Sequence, residues 1–358
     1  MEHSRFTEKL SLKRLTIYEY GVTQNFKEPI MADAQKEFHK FHNSILLDAD
    51  SNDALREKRE TLLKDLKNNI DEKAPAYSTF HQGSYELSTG VIPLEGDPDM
   101  DIGIIFDCTP EEYEDPVVLK NYVRKAFDRI NRTVRVRKPC VTVEYWSGEV
   151  RTMHMDLAVY STNDGGQTQL ARGRDIDTLG TEFRCWEPSE AKELNKKIIN
   201  AFSGTDRDQW RRVVRSLKRW RDEKIGHKNI PSIALTVAAV NHFLPVYSLV
   251  DGKPRDLIAT RNLVNALLAQ WVDDRLSVML PTAPFVDLLK NVTDIQMEGF
   301  KEKLINLRDV LIEADQQADT HEACKLLSKQ FGVLFPVPEK AATTKKTENA
   351  LQPSGRSA

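Results

Sequence analysis

Three aspartates and a glycine-serine pair stand out for the chemistry they could share. Asp99 and Asp101 head the apolar run DMDIGIIF, residues 99–106. Side chains alternate between the two faces of a strand, so Asp99, Asp101, Gly103 and Ile105 share one face. Met100, Ile102, Ile104 and Phe106 take the other. Two carboxylates side by side at the start of a buried strand repel each other unless a cation lies between them. Hard divalent cations with oxygen ligands suit that position, and Mg²⁺ is the one that works with phosphates. Taken alone, an Asp-x-Asp also reads as a solvated acidic turn capping an ordinary strand.

Asp156 adds weight to the first reading. It lies in RTMHMDLAVY, residues 151–160, on the same face as Thr152 and His154 and opposite Met153, Met155, Leu157 and Val159. A lone carboxylate inside an apolar strand is expensive without compensation. A metal shared with Asp99 and Asp101 would compensate it, and so would a buried Arg or Lys. His154 reads as a hydrogen-bonded structural histidine. Gly83-Ser84 precedes Asp99 by fourteen intervening residues. Glycine lets a backbone approach closely, so its amides and a neighbouring hydroxyl can hold a triphosphate. Phosphoryl and nucleotidyl transfer use such a set. One Mg²⁺ lowers the pKa of an attacking hydroxyl, a second clamps the leaving pyrophosphate, and a Lys from an adjoining helix neutralises triphosphate charge.

The elements that must position these residues are legible in outline. Residues 33–68 have helical period with a break near 48–53, and read as a helix pair packed on a sheet. A short strand at 77–80 leads into Gly83-Ser84, and VVLKNYVRKAFDRI forms a helix with a stripe of Leu119, Tyr122, Val123, Phe127 and Ile130. Residues 133–145 alternate as a strand, and 161–185 read as a polar excursion. After Trp186-Glu187-Pro188-Ser189 the period becomes helical throughout, over 190–202, 206–224, 231–244, 256–271, 284–290, 295–314 and 320–330. The helix 206–224 carries Trp210, Val213, Val214, Leu217 and Trp220 on its apolar stripe. The expected organisation is an α/β part over 1–187, a helical lobe over 188–337 and a disordered tail over 338–358.

Composition narrows the class. The chain has 358 residues, 40% hydrophobic and 29% charged, with net charge −3, and no basic excess points to nucleic acid as the main partner. Four widely spaced cysteines form no zinc-like pattern and are expected as reduced thiols. With no signal-like N-terminus and no apolar run of about 18 residues, the expectation is a soluble cytoplasmic protein without a membrane span.

The pattern Pro93-Leu94-x-Gly96-Asp97, Asp99-Met100-Asp101, preceded by Gly83-Ser84, resembles the cGAS/DncV-like nucleotidyltransferases (CD-NTases) of bacterial anti-phage (CBASS) defence, within the polymerase-β-like superfamily. The resemblance extends through Met155-Asp156-Leu157, Trp186-Glu187-Pro188-Ser189, the helix Arg215-Ser216-Leu217-Lys218-Arg219-Trp220-Arg221-Asp222, Ile230-Pro231-Ser232 and the ending Phe331-Gly332…Phe335-Pro336, covering about residues 75–336. It implies an α/β plus α fold, a mixed sheet flanked by helices with a C-terminal helical lobe closing a nucleotide cleft. It also implies a synthase that joins ATP, GTP or other NTPs into a cyclic di- or trinucleotide with release of pyrophosphate. Asp99 and Asp101 would hold two Mg²⁺ ions, for which Mn²⁺ can substitute, and Asp156 would bind the ion that activates the acceptor hydroxyl. Gly83 and Ser84, with Lys218 and Ser232 from the helical part, would contact the nucleotide. Lys218 also reads as a solvated charge beside Trp220, and Ser232 as a helix N-cap. No Cys/His cluster exists to build a zinc-bearing DNA clamp. Some operons of this family carry a ubiquitin-transfer-like partner, and the tail ending at Ala358 is compatible with conjugation. The competing reading is a template-independent transferase acting on RNA or a small acceptor.

Overall fold

The apolar faces of two neighbouring strands organise the first half of the chain. In the computed structural model, residues 33–47, 53–127, 132–174, 183–226 and 229–340 are described. The first 32 residues, the end of the helix expected to reach Ile130, part of the 161–185 excursion and the tail from 341, including Ala358, lie outside them. The strands β1 (Tyr77–His81), β2 (Asp99–Phe106), β3 (Arg132–Val136), β4 (Val141–Ser147), β5 (Val150–Thr162), β6 (Thr168–Arg172) and β7 (Cys185–Pro188) form one sheet. Its order is β1-β2-β5-β4-β3, with β6 paired to β5 and β7 to β6. Only β2 and β5 run parallel, so the sheet is mixed.

Met100, Ile102, Ile104 and Phe106 of β2 join Met153, Met155, Leu157 and Val159 of β5 in one buried cluster. Leu62 and Leu66 of α2 (Asp53–Asn69) and Leu119 and Val123 of α4 (Val117–Ala126) cover that face. The alternation read in the sequence is therefore the burial pattern observed, and the aspartates are left on the other face. Lys120 of α4 is fully buried and donates to the carbonyls of Arg137 (2.6 Å), Lys138 (3.1 Å) and Gly173 (2.8 Å). One ammonium thus ties the helix to the β3–β4 turn.

The helical part comprises α5 (Ala191–Ile199), α6 (Gly204–Lys224), α7 (Ser232–His242), α8 (Asp256–Leu268), α9 (Asp294–Gln316) and α10 (Thr320–Phe331). Trp210, Val213, Val214, Leu217 and Trp220 are all buried in its core. The chain has the expected architecture, a mixed sheet flanked by helices with a C-terminal helical region.

Four local expectations are corrected. Helix α1 (Gln35–Ile45) does not pack on the sheet. Its Phe38, Phe41 and Ile45 join the helical core, where the Phe38 and Phe41 rings lie 5.1 and 5.0 Å from that of Phe335. An apolar helix stripe carries no information about whether a sheet or a helix will cover it. The strand expected over 133–145 is a hairpin, because Lys138-Pro139 turns the chain and Arg137 N–H bonds the Cys140 carbonyl. The polar excursion contains β6, whose alternate residues Gln169 and Ala171 are buried. Residues 284–290 form no helix; Met279 bridges to Asp287 there, and the Asp287 carboxylate accepts from the amides of Val278 and Leu289.

Candidate active site

The parallel register of β2 and β5 brings the acids together. Asp101 stands directly opposite Asp156, and Asp99 opposite His154. Asp156 is also the register partner of Thr142 on β4, whose hydroxyl donates to Asp156 Oδ1 at 2.6 Å. No Lys or Arg forms an ion pair with Asp156 among the described residues, so the basic partner considered from sequence is not what faces it.

Gly83-Ser84 opens the helical turn α3 (Gly83–Glu86), and Gln82 N–H bonds the Asp101 carbonyl at 3.3 Å. Gly83 has φ +67°, and a methyl group there would overlap Asp101 Oδ2. Only glycine both adopts that conformation cheaply and lets the turn settle on the carboxylate. Gly83 thus lies against Asp101 itself.

The electrostatics are those of a crowded acidic site. Burial, followed by the nearby charges of Asp99 and Asp156, holds the Asp101 carboxyl well above the ordinary range. Asp99 is exposed at the strand end but closely surrounded by protein. Burial there, with Asp156 and Asp97 adding repulsion, outweighs the attraction of His154 and Lys218 and raises its pKa. Among the described residues, no three His, Cys, Asp or Glu side chains stand close enough together, as placed, to hold a metal ion.

A cavity of about 770 Å³ lies beside Asp99 and is lined also by Ser84, Thr89, Asp97, Lys218 and Ser232. Residues far apart in sequence thus meet on one space, Asp99 and Ser84 from the sheet side and Lys218 and Ser232 from α6 and α7. Asp101, Asp156 and Gly83 are not among its lining residues. Lys218 is not solvated. It is 5% exposed, and its ammonium donates to the carbonyl and hydroxyl of Thr89 at 3.1 and 3.0 Å. Burial, then repulsion from Arg221 and Arg215, pushes its pKa down to about 7. Ser232 is not the N-cap of α7. Pro231 holds that position, and the Ser232 hydroxyl accepts from Arg221 Nη1 at 2.7 Å.

Asp97 lies just before β2, outside the strand. In the structure its carboxylate accepts from Arg151 Nε (2.8 Å) and contacts His154 Nδ1 (2.7 Å). Burial opposes its charge, but these two hydrogen bonds outweigh burial and lower its pKa. His154 is therefore hydrogen-bonded, as expected, and also lines the cavity. Arg151 and Thr142 went unnoticed because each is ordinary for a strand taken alone, and only the register shows what they face.

Residues 78–160 match the family model described as the nucleotidyltransferase domain of cyclic GMP-AMP synthase DncV-like proteins. This stretch is similar to a DncV-like nucleotidyltransferase domain. It runs from β1 to β5 and contains all three aspartates and Gly83-Ser84. Solved structures share the wider fold around it. The Vibrio cholerae cyclic AMP-GMP synthase DncV, a prokaryotic cGAS homolog, is 16% identical with a TM-score of 0.65, the match covering 85% of this chain and 98% of that one. DncV with the linear intermediate pppA(3',5')pG is 16% identical, TM-score 0.64, covering 86% and 99%. The Bradyrhizobium diazoefficiens CD-NTase CdnG in complex with GTP is 14% identical, TM-score 0.64, covering 86% and 98%. The nucleotidyltransferase domain and the helical part therefore occur together in proteins of similar length.

Proposed function

We propose that this DncV-like nucleotidyltransferase is a nucleotide second-messenger synthase that joins NTPs into a cyclic di- or trinucleotide and releases pyrophosphate. The observation that carries the reading is the pairing of Asp101 with Asp156 across parallel strands, with Asp99 on the same face and Gly83 packed on Asp101. The donor set fits Mg²⁺. It offers carboxylate oxygens only, none of the three forms an ion pair with Arg or Lys among the described residues, and burial and repulsion resist the ionisation of Asp99 and Asp101. Asp99 and Asp101 would hold both ions and Asp156 the one nearer the acceptor. When bound, the metals would activate the acceptor hydroxyl and stabilise the leaving pyrophosphate.

The chain's own groups then bind and orient the donor. Lys218 uses two of its three ammonium protons on Thr89, leaving one for a phosphate oxygen. The Ser232 hydroxyl accepts from Arg221, so its own proton is available for another phosphate oxygen. Ser84 and the amides of the α3 turn complete a triphosphate cradle at the cavity wall. Thr142 holds Asp156 in one orientation, leaving its second oxygen for the metal. DncV and CdnG are described with the linear intermediate and with GTP respectively, which supports nucleotide substrates here.

Incubating the purified protein with Mg²⁺ and all four NTPs, followed by phosphatase treatment and mass spectrometry, tests the reading. A phosphatase-resistant cyclic product is expected, and its loss in Asp99→Ala/Asp101→Ala. Linear products extended on an added RNA or small acceptor, with no cyclic species, would replace it by the template-independent transferase. Signalling in anti-phage defence belongs to the same proposal, and plaque counts on cells expressing wild-type or Asp101→Ala protein test it.

A further inference from the structure

Behind the candidate active site is a second cavity, of about 470 Å³, lined by α1 and the first half of α6. The segment from Ser84 to Thr89 separates the two. Ser84 and Thr89 line the catalytic side, and Tyr85 and Ser88 line the reverse side. The reverse cavity is basic. His39 and His42 enter it from α1, and Arg211, Arg212 and Arg215 from α6, with Asp208 at its exposed rim.

These cations are not equally committed. Arg212 is spent on Asp256, with Nε–Oδ2 and Nη2–Oδ1 bonds of 2.6 and 3.0 Å. Arg215 donates to backbone carbonyls, Ser88 O at 2.5 Å and Gly90 O at 3.2 Å, and to His42 Nε2 at 3.2 Å. Arg211 differs. Its Nε is buried without a hydrogen-bond partner, and burial, then the charge of Arg207, presses against its own. A buried donor left unmade is costly and calls for a partner. The imidazole of His42 accepts from Arg215 and is neutral. Burial, then Arg215 and Arg212, pushes its pKa to about 4, with Asp256 opposing and His39 adding to the effect. The cavity therefore gathers three arginines against one rim carboxylate, Asp208, and holds one donor without a partner, Arg211 Nε, in a space larger than a single water.

We propose that this cavity is a second anion site, built to take a di- or triphosphate group, and that it is coupled to the catalytic cavity through Arg215. The physical link is short. Arg215 grips Ser88 O and Gly90 O, on either side of Thr89, and Thr89 in turn holds Lys218. An anion that draws on Arg215 acts on the two carbonyls that set where Thr89 stands. Ser88 sits at φ +51°, a conformation a non-glycine residue keeps only when its surroundings hold it there. The shared chemistry fits inorganic pyrophosphate and the polyphosphate of a nucleotide alike. The site stands on its own geometry and does not depend on the cyclic product proposed above.

Calorimetric titration of the full chain with pyrophosphate, and separately with ATP, tests this in chelator, so that the metal-dependent site is not loaded. Wild-type protein is expected to bind one equivalent. Arg211→Ala should weaken it about tenfold or more, the scale of a lost charge-assisted bond, while Arg211→Lys retains most of it and Lys218→Ala changes little. Equal affinities assign the site to the bare polyphosphate, and clearly tighter ATP binding to a nucleotide. Arg211 is half-exposed, and unchanged circular dichroism and melting of its variants exclude misfolding as the cause. No binding, or binding lost in Lys218→Ala and kept in Arg211→Ala, overturns the site. Hydrogen exchange reads the coupling. The Thr89 amide, bonded to Ser84 O, should exchange more slowly at saturating pyrophosphate, and unchanged exchange overturns the link.

Discussion

Asp101 faces Asp156 across two hydrogen-bonded strands, and burial, then the charges of Asp99 and Asp156, makes Asp101 harder to ionise. A carboxyl whose pKa is raised on folding binds its proton more tightly in the folded than in the unfolded chain. Stability then falls as pH rises from the ordinary carboxyl value of about 4 through the raised folded value. In chelator, the urea midpoint of the wild-type protein should fall between pH 5 and pH 8, and Asp101→Asn should flatten that slope. Added Mg²⁺ should stabilise most at pH 8. A midpoint indifferent to both pH and Asp101→Asn would mean that the carboxyl is not under this stress. Lys218 offers a complementary reading. Burial, then Arg221 and Arg215, holds its pKa at about 7, and a triphosphate placed beside it favours the charged form. Binding of a non-hydrolysable NTP at pH 8 should therefore take up protons, seen as a dependence of binding heat on buffer ionisation enthalpy, and Lys218→Met should remove that part of it.

The elements that carry these residues were legible to different depths. Alternation in 99–106 and 151–160 showed which face each aspartate takes, because a period of two leaves no other assignment for a half-buried strand. It did not show that the two strands are parallel neighbours, which decides that Asp101 and not Asp99 meets Asp156. Helix α6 was harder still. Its tryptophans marked one face, but Arg215, Lys218, Arg219 and Arg221 are 6%, 5%, 1% and 5% exposed, and charged residues on a helix read as solvated until their acceptors are known. Those acceptors are carbonyls of the 88–92 segment and of Ile230, groups that leave no mark in a sequence. The α3 turn gives the sharpest test at this scale. Gly83→Ala adds a left-handed cost of about 1–2 kcal/mol and an overlap with Asp101 Oδ2. It should lower stability by at least that much and reduce turnover more than Ser84→Ala, measured side by side by melting and initial rates.

Across the whole molecule, two cores are formed from unequal parts of the chain. The sheet core draws on residues between 62 and 171, whereas the helical core joins Ala34, Phe38, Phe41, Ile45 and Leu87 to residues from 198 to 335. The Phe-Gly…Phe-Pro ending, quoted at first as a family likeness, has a structural use. Phe331 and Phe335 stack on each other at 5.7 Å and clasp Phe38 and Phe41. Phe335→Ala should cost about 3–5 kcal/mol while leaving the sheet's register intact, so amide exchange should accelerate in α1 and α10 well before β2 and β5. Equal acceleration everywhere would mean that the two cores unfold as one.

The clasp between Phe38 and Phe335 also has a meaning in time. During synthesis the sheet can close once residue 171 has emerged, but α1 must wait for the last turn of α10 and the residues after it. At roughly 5–20 residues per second, that wait lasts on the order of tens of seconds. Lys218 and Ser232 belong to the later core, so a nascent chain holds its three aspartates before it holds the groups that face them across the cavity. A ribosome-bound or prematurely ended product is thus unable to grip a nucleotide from both sides, and the newly made protein becomes competent only when its far end has reached back to Phe38.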